Sequence, residues 1–238
     1  MPPRSSKSAG TDAVAFFDLD RTLIDCNSGR LWMQAEWRAG RVGLREVLWG
    51  SWWLARYSLG FEDDLAALFE VAVATMAGQS EAEMDARVQR WFDREVAPRL
   101  RPGARAALRW HATEGHRCVL ATSSSIYAGR ASARHWGLDD VIATEFGVAE
   151  GRFTGRVAQL AAGDAKAERV RRWAEGQGVA LEACWFYTDS MTDLALLECV
   201  GHPVVVHPDR RLRRHAERRG WPIEDWGHSS GRPRLAPR

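Results

Sequence analysis

The sequence has few cysteines, no long hydrophobic run and almost no net charge, and each scarcity excludes a class of protein. The four cysteines have no close pair and no zinc-type spacing, so neither a disulfide framework nor a zinc site is expected. The longest aromatic and apolar stretch, residues 47–55, is about half of the roughly 20 residues needed to cross a bilayer. We therefore expect a cytoplasmic protein without a transmembrane segment.

The net charge of +2, from 33 basic and 31 acidic side chains, argues against a protein that binds nucleic acid through bulk charge. A chain of 238 residues with 45% hydrophobic content is long and apolar enough to fold around a sizeable core. Its polar ends, residues 1–11 and 227–238, predict flexible termini.

Strand and helix patterns alternate along most of the chain. Short β-branched or aromatic runs predict strands at residues 14–19, 117–122, 141–146, 183–188 and 203–206. Helical patterns predict helices at residues 104–113, 126–136, 165–175, 192–199 and 209–218. The alternation predicts an α/β fold, a Rossmann-like parallel sheet with helices on both faces. Glycines within residues 147–157 predict one interrupting hairpin.

Residues 27–98 follow the first strand but carry apolar residues at helical spacing and no convincing strand. They predict an all-helical cap inserted into a core domain made of residues 12–26 and 99–226. The cap has more acidic than basic residues, whereas residues 207–238 are rich in arginine.

Two carboxylates end the first predicted strand, in FFDLDRTLID. Asp18 and Asp20 are two residues apart, so in an extended chain they point to the same side, at the edge where parallel sheets bind ligands. They repel each other unless a cation or a proton lies between them. Taken alone, such a pair is more often a helix cap and a solvated side chain.

Three further segments follow later strands. ATSSS places the hydroxyls of Thr122 and Ser123 at a strand end before a helix, where an anion can bind. GDAKAERV offers Lys166, the only lysine after Lys7, at the start of a helix. Asp189 and Asp193 share one helical face four residues apart, a spacing that suits a cation. Ordinary capping and solvation would explain each of these residues singly.

Together, FFDLDRTLID, VLATSSS, GDAKAERV and YTDSMTDLALL resemble the four ordered motifs of the haloacid dehalogenase superfamily, across residues 12–225. The helical insert resembles the phosphoserine-phosphatase-like branch, subfamily IB. The resemblance implies a phosphatase in which Asp18 attacks phosphorus and forms an aspartyl-phosphate. Asp20 would serve as acid and then base, and Mg²⁺ would be held by Asp18, the main-chain carbonyl of Asp20, and Asp189.

The resemblance also implies roles around the phosphate. Thr122 and Ser123 would bind phosphoryl oxygens, and Lys166 would neutralise the charge of the phosphate and the nucleophile. Asp193 would orient Lys166 or metal-bound water, and Thr22 would shape the turn after the first motif. The expected partner is a small phosphomonoester, and no nucleic acid is expected.

The substrate is less defined by the sequence. Phosphoserine phosphatases have a glutamate where Asn27 stands, an arginine near Glu70 and an asparagine at the place of Thr192. These departures weaken phosphoserine as the substrate, and an acidic cap favours a cationic ester such as an amino alcohol phosphate of the histidinol phosphate type.

Several alternatives stay open. The aromatic cluster Trp49, Trp52, Trp53 and Tyr57 is typical of cap packing, but it would also suit a substrate lid or a lipid contact, which keeps a lysophospholipid-phosphate phosphatase possible. A phosphomutase is the closest enzymatic rival. A non-enzymatic phosphate-binding module would instead use the basic C-terminal helix, whose arginines are otherwise a solvated face. These are Arg210, Arg211, Arg213, Arg214, Arg218 and Arg219.

Overall fold

The structure, a computed structural model, describes residues 13–43 and 63–229, without the side chains of residues 63–66 and 68. Within these ranges one sheet contains β1 (Val14–Phe17), β2 (Arg117–Ser125), β3 (Asp140–Ala149), β4 (Arg152–Gln159), β5 (Trp185–Thr188), β6 (His202–Val206) and β7 (Ile223–Glu224). Their order is β4-β3-β2-β1-β5-β6-β7, and all neighbours are parallel except β4, which is antiparallel to β3. The predicted parallel α/β core is confirmed.

Helices cover both faces of this sheet. The described helices are α1 (Ser28–Arg38), α2 (Asp63–Ala74), α3 (Glu81–Trp91), α4 (Pro102–Thr113), α5 (Ile126–Trp136), α6 (Gly163–Gln177), the single turn α7 (Leu194–Leu197) and α8 (Arg210–Arg219). All four residues of β1 are buried. Ala15 and Phe17 pack on the side of α3, α4 and α5, and Val14 and Phe16 on the side of α6, α7 and α8, because successive strand residues point to opposite faces.

Strand β2 runs three residues further than predicted, to Ser125. Its pairing with β3 is irregular between Ala121 and Ser125. Thr122 and Ser123 therefore lie within this irregular stretch, and the helix cap is Ser125, whose hydroxyl accepts the N–H of Ala128 at 3.4 Å. The helix begins at Ile126, as predicted, so only the expected end of the strand is corrected.

Strand β3 also continues past its predicted end, to Ala149, and forms a hairpin with β4. The turn consists of Glu150 and Gly151, which both have positive φ, 51° and 72°. The predicted hairpin is thus present, as an extension of the sheet. Strand β7 was not predicted, since two residues are too few to show a periodic pattern.

The predicted helical insert, residues 27–98, contains α1, α2 and α3 in its described part. Its described part has no strand, only an isolated bridge between Ser80 and Arg152. The hairpin supports it, since Gly78 N–H donates to the carbonyl of Phe153 at 2.8 Å. On the other side, the hydroxyl of Tyr127 in α5 donates to Glu81 in α3 at 3.1 Å. The division into core and cap domains stays a prediction.

The two connections between the sheet and the insert run side by side. Ile24 and Leu100 form an isolated antiparallel bridge, and the N–H of Asp25 donates to the carbonyl of Arg99 at 3.2 Å. The return connection leads directly into α4, with Pro102 as its first residue and Arg101 extended before it, as expected for a residue preceding proline.

The described end of the chain lies against these connections. Trp226 and Gly227 are buried, and the N–H and hydroxyl of Ser229 donate to Asp25 Oδ2 at 2.9 and 2.6 Å. The structure differs here from the predicted flexible terminus starting at residue 227, because these hydrogen bonds hold the chain as far as Ser229. Residues 1–12 and 230–238 lie outside the described ranges.

The structure bears on two exclusions made from composition. In the described part of the chain, no helix has both the length and the apolar character required to traverse a bilayer. Cys26, Cys118, Cys184 and Cys199 are all free thiols, in keeping with the expected lack of a disulfide framework.

Candidate active site

Asp18 is the first residue after β1, at the carboxyl edge of the sheet. The last residue of β1, Phe17, lies beside Leu120 of β2 and Tyr187 of β5. The N–H of Asp18 continues this pattern by donating to the carbonyl of Tyr187 at 2.9 Å. Its side chain is therefore held by the sheet itself, at the edge where open α/β sheets bind ligands.

The turn Leu19–Leu23 returns a second carboxylate to the same edge. Arg21, directly after Asp20, has a φ of 60°, a left-handed conformation that side-chain-bearing residues rarely adopt. Asp20 Oδ1 accepts the N–H of Ser28 at 2.6 Å, and Asp20 Oδ2 accepts the hydroxyl of Ser124 at 3.1 Å. These bonds fix the Asp20 carboxyl group between the start of α1 and the end of β2.

Lys166 joins two buried carboxylates. Its ammonium nitrogen lies 3.1 Å from Asp18 Oδ1 and 2.8 Å from Asp193 Oδ1, and the lysine is 1% exposed. Thr188, at the end of β5, donates its hydroxyl to Asp193 Oδ2 at 2.7 Å. A lysine buried this deeply is expected only when it is paired with opposite charges. The two carboxylates provide that pairing inside the site.

Burial raises the pKa values of three carboxyl groups at this edge, those of Asp18, Asp20 and Asp189. It raises the pKa of Asp18 to about 7 against the attraction of Lys166. Burial also raises the pKa of Asp20, although its hydrogen bonds oppose the shift. The pKa of Asp189 lies well above its usual range, first through burial and then through the charge of Asp18. Burial thus favours the neutral forms of these three groups, and added positive charge would favour their ionised forms.

The donor set at this edge fits Mg²⁺. Asp18, Asp189 and the main-chain carbonyl of Asp20 offer hard oxygen atoms, and a dication among them would favour the ionised carboxylates. Within the described residues, no three His, Cys, Asp or Glu side chains are grouped to hold a metal. The predicted set contains only two such side chains, since its third ligand is a carbonyl, and the two statements are therefore compatible.

A cavity of about 90 Å³ collects most of the predicted site residues. The predicted residues that line it are Asp18, Asp20, Asn27, Thr122, Ser123, Lys166, Asp189, Thr192 and Asp193. They come from four segments of the sequence: the chain after β1, the last part of β2, the start of α6 and the chain after β5. The roles assigned to these residues stay predictions, but their common location is a property of the fold.

Two predicted residues do not line the cavity. Thr22 is fully buried in the turn after β1, and its hydroxyl has no hydrogen-bond partner among the described residues. Glu70 is exposed on α2. Asn27 does line the cavity, but its side-chain oxygen caps α1 by accepting the N–H of Arg30 at 2.8 Å. The aromatic cluster at residues 49–57 lies outside the described ranges.

The sequence reasoning missed polar residues that complete the site. Arg21, Ser190 and Asp209 line the cavity, and Thr188 holds Asp193. Ser28 and Ser124, whose hydroxyls lie 3.0 Å apart, both donate hydrogen bonds to the carboxylate of Asp20. Ser124 was visible within ATSSS, but nothing local in the sequence shows that it meets a residue 96 positions away.

Comparisons with known proteins agree with this arrangement. The haloacid dehalogenase-like hydrolase family matches residues 15–198, which is most of the chain. The chain belongs to this family. The match includes all four motifs and the helical insert.

Two curated relatives are phosphatases by name. A phosphoserine phosphatase of Mycobacterium tuberculosis is 33% identical over an alignment of 236 residues that covers 94% of this chain and 77% of the relative. A histidinol-phosphatase of Neisseria meningitidis is 27% identical over 221 residues, covering 88% of this chain and 97% of the relative. The predicted enzyme class, a phosphatase, is confirmed.

Solved structures share the fold. A protein of unknown function from Bordetella pertussis superposes with a TM-score of 0.80 at 30% identity, covering 92% of this chain and 100% of that one. A phosphoserine phosphatase solved as a phospho-aspartyl intermediate analogue superposes with a TM-score of 0.66 at 17% identity, covering 92% and 95%. The sheet core with a helical cap is thus the fold of this chain.

Proposed function

We propose that the protein is a Mg²⁺-dependent phosphomonoesterase that forms an aspartyl-phosphate on Asp18. The observation that carries the proposal is the position of Asp18, ion-paired to buried Lys166, in the same cavity as Asp20. Asp20 is held by a different set of contacts, so the two carboxyl groups can perform different tasks.

In the first half-reaction, a carboxylate oxygen of Asp18 attacks phosphorus while the bond to the alcohol oxygen breaks. Asp20 donates its proton to the departing alkoxide. The raised pKa of Asp20 favours the protonated form that this step requires. Mg²⁺ bound by Asp18, Asp189 and the Asp20 carbonyl would reduce the repulsion between nucleophile and phosphate.

In the second half-reaction, Asp20 accepts a proton from the water that attacks the phosphoryl group, and Asp18 leaves as a carboxylate. Thr122 and Ser123 line the cavity where they can donate to phosphoryl oxygens. Lys166 balances the charge of Asp18 and of the phosphoryl group, and Asp193 holds Lys166 in place. Thr22 shapes the turn between Asp20 and the insert.

The cavity favours a substrate with a cationic leaving group. Five carboxylates and two cationic side chains line it, an excess of negative charge before a dication or a proton on Asp20 is added. The carboxylates are Asp18, Asp20, Asp189, Asp193 and Asp209, and the cations are Arg21 and Lys166. An amino alcohol phosphate of the histidinol phosphate type complements this charge better than phosphoserine does. Glu70 gives no support to this preference, because it does not line the cavity.

The first test is hydrolysis of p-nitrophenyl phosphate with and without Mg²⁺. Turnover is expected to disappear after chelation by EDTA and to return with added Mg²⁺. Acid quenching during turnover should trap a phosphoryl group on Asp18, detectable by mass spectrometry of the peptide. Turnover unaffected by exhaustive chelation, or a trapped group on another residue, would contradict the mechanism.

The second test compares kcat/KM for phosphoserine, histidinol phosphate and a lysophospholipid phosphate. A cationic amino alcohol ester should give the highest value, and phosphoserine a lower one. Formation of an isomer without free phosphate would indicate a phosphomutase. Phosphate binding without turnover of any ester would favour the non-enzymatic binding module. The cytoplasmic location stays a prediction.

A further inference from the structure

Arg101 is a buried charged residue to which the proposed reaction assigns no part. It lies at the end of the return connection, directly before α4, and is 4% exposed. Arginine is almost never buried to this degree without hydrogen-bond partners. Its Nε donates to the carbonyl of Arg21 at 3.2 Å, and one terminal nitrogen donates to the carbonyl of Gly227.

The first of these carbonyls belongs to Arg21, the strained residue of the turn Leu19–Leu23. Arg21 follows Asp20 and has a φ of 60°. Its N–H donates to the carbonyl of Cys26 at 3.0 Å, while its own carbonyl accepts from Arg101. The N–H of Arg101 also donates to the carbonyl of Leu23 at 2.9 Å. A conformation of this kind persists only where its surroundings enforce it. The Arg101 side chain provides the hydrogen bond to the Arg21 carbonyl, whereas the bond to Leu23 uses the main chain of residue 101.

The second carbonyl belongs to the end of the described chain. Gly227 is buried beside Trp226, and two residues later Ser229 is bonded to Asp25. The guanidinium of Arg101 therefore lies between the turn Leu19–Leu23 and the segment that follows β7. Neither partner is close to it in sequence, since they are 80 and 126 positions away.

We propose that Arg101 is a positioning residue that holds the turn Leu19–Leu23 in the conformation that presents Asp20 to the leaving group. This proposal rests on the function proposed above for Asp20. Asp18 does not depend on Arg101 in the same way, because the sheet and Lys166 hold it independently. Loss of Arg101 should therefore impair proton donation more than nucleophilic attack.

Leaving groups of different basicity separate these two effects. An alkyl phosphate needs a proton on its departing oxygen, whereas p-nitrophenolate departs readily without one. The constant kcat/KM covers the steps up to departure of the alcohol. Arg101→Met should lower kcat/KM for an alkyl phosphate about tenfold more than for p-nitrophenyl phosphate, which is part of the factor that general acids supply. Arg101→Lys keeps the charge but not the forked geometry, and should show most of the same shift.

A matched control is available in Arg169, a partly buried arginine that donates to the carbonyl of Ala143 and pairs with Glu145. Arg169→Met should leave the ratio of the two kcat/KM values unchanged. Asp20→Asn removes the proposed general acid, so it gives the largest shift in the ratio of the two kcat/KM values that loss of proton donation can produce. In that background, adding Arg101→Met should change the ratio no further, because the two residues act on one step.

Four results would overturn the proposal. Arg101→Met and Arg101→Lys could lower kcat/KM for both substrates equally, leave both values unchanged, or fail to fold. Each of these outcomes would show that Arg101 at most stabilises the fold. A ratio that still shifts in the Asp20→Asn background would assign the effect to another group. Failure of the wild type to hydrolyse either ester would instead count against the proposed function and would be visible before any variant is compared.

Discussion

The two edges of the parallel sheet carry different chemistry. At the carboxyl edge, Asp18 and its neighbours are charged groups joined by ion pairs and hydrogen bonds. At the amino edge, His116, Trp185 and His202 form a continuous stack, with ring centroids 4.8 and 4.2 Å apart. Beneath this stack, His111 is fully buried and lies 3.0 Å from the hydroxyl of Tyr187.

Burial acts at both edges but with opposite consequences. It raises the pKa of Asp18 to about 7 and lowers the pKa of His111 to about 4, because in each case the charged form loses hydration. His111 can remain neutral, with His116 and Tyr187 as hydrogen-bond partners. At the carboxyl edge, Asp18 is the proposed nucleophile and must be ionised to react, and the ion pair with Lys166 favours that form. The neutral cluster at the amino edge thus suits stability, whereas the carboxyl edge holds the residues of the proposed reaction.

The largest effect is expected from Asp18→Asn. The amide cannot form the acyl phosphate, so kcat should fall by at least about 10³-fold, as for removal of other nucleophiles. Release of inorganic phosphate measures this. The thermal unfolding transition should be retained, because the variant removes a charge whose burial is unfavourable. Substantial remaining turnover would reassign the nucleophile.

Lys166→Met should have the largest effect on stability. It leaves Asp18 and Asp193 buried without their cation, and the free energy of unfolding should fall by about 3 kcal/mol, as for other broken buried pairs. Urea denaturation at neutral pH measures the loss. The double variant Lys166→Met, Asp193→Asn removes one of the stranded charges and should recover part of it. A double variant no more stable than the single one would refute the ion pair network as the cause.

His111 should make the amino edge sensitive to acid. Its pKa is about 4 in the folded protein and 6.5 when unperturbed. Between these values the unfolded chain binds the proton and the folded protein does not, so stability falls as the pH falls from about 6.5 to about 4. His111→Gln removes this contribution, and its stability should depend less steeply on pH across that window. Equal slopes for the two proteins in urea denaturation would contradict the assigned pKa.

The smallest effect is expected at the outer ring of the stack. His202→Ala removes one partner of Trp185 and should lower the free energy of unfolding by about 1 kcal/mol, a typical value for aromatic pairs. Turnover of p-nitrophenyl phosphate should stay within about twofold of the wild type, since both edges are joined only through the rigid sheet. A large loss of kcat with little loss of stability would show that the two edges are coupled.

The local pattern of the chain was enough for the core elements and for the main motif residues. FFDLDRTLID and YTDSMTDLALL combine a buried strand with carboxylates just beyond it, and parallel strands bring such ends together. The ends of β2 and β3 were predicted three residues short, because pairing with neighbours extends a strand beyond its own hydrophobic pattern. Glu70 was placed by alignment through a helical insert, where one helical turn changes which face a residue occupies.

The sequence by itself determined which residue types follow which strands. That order was enough to indicate the family, the fold and the pairing of acidic side chains with the one lysine of this part of the chain. Tertiary structure alone decided that Ser28 and Ser124 hold Asp20, and that Arg101 bonds the carbonyl of Arg21. Those contacts join residues far apart in the chain and leave no periodic pattern. They follow from how the insert, the turn and the end of the chain pack together, and that packing depends on the whole fold.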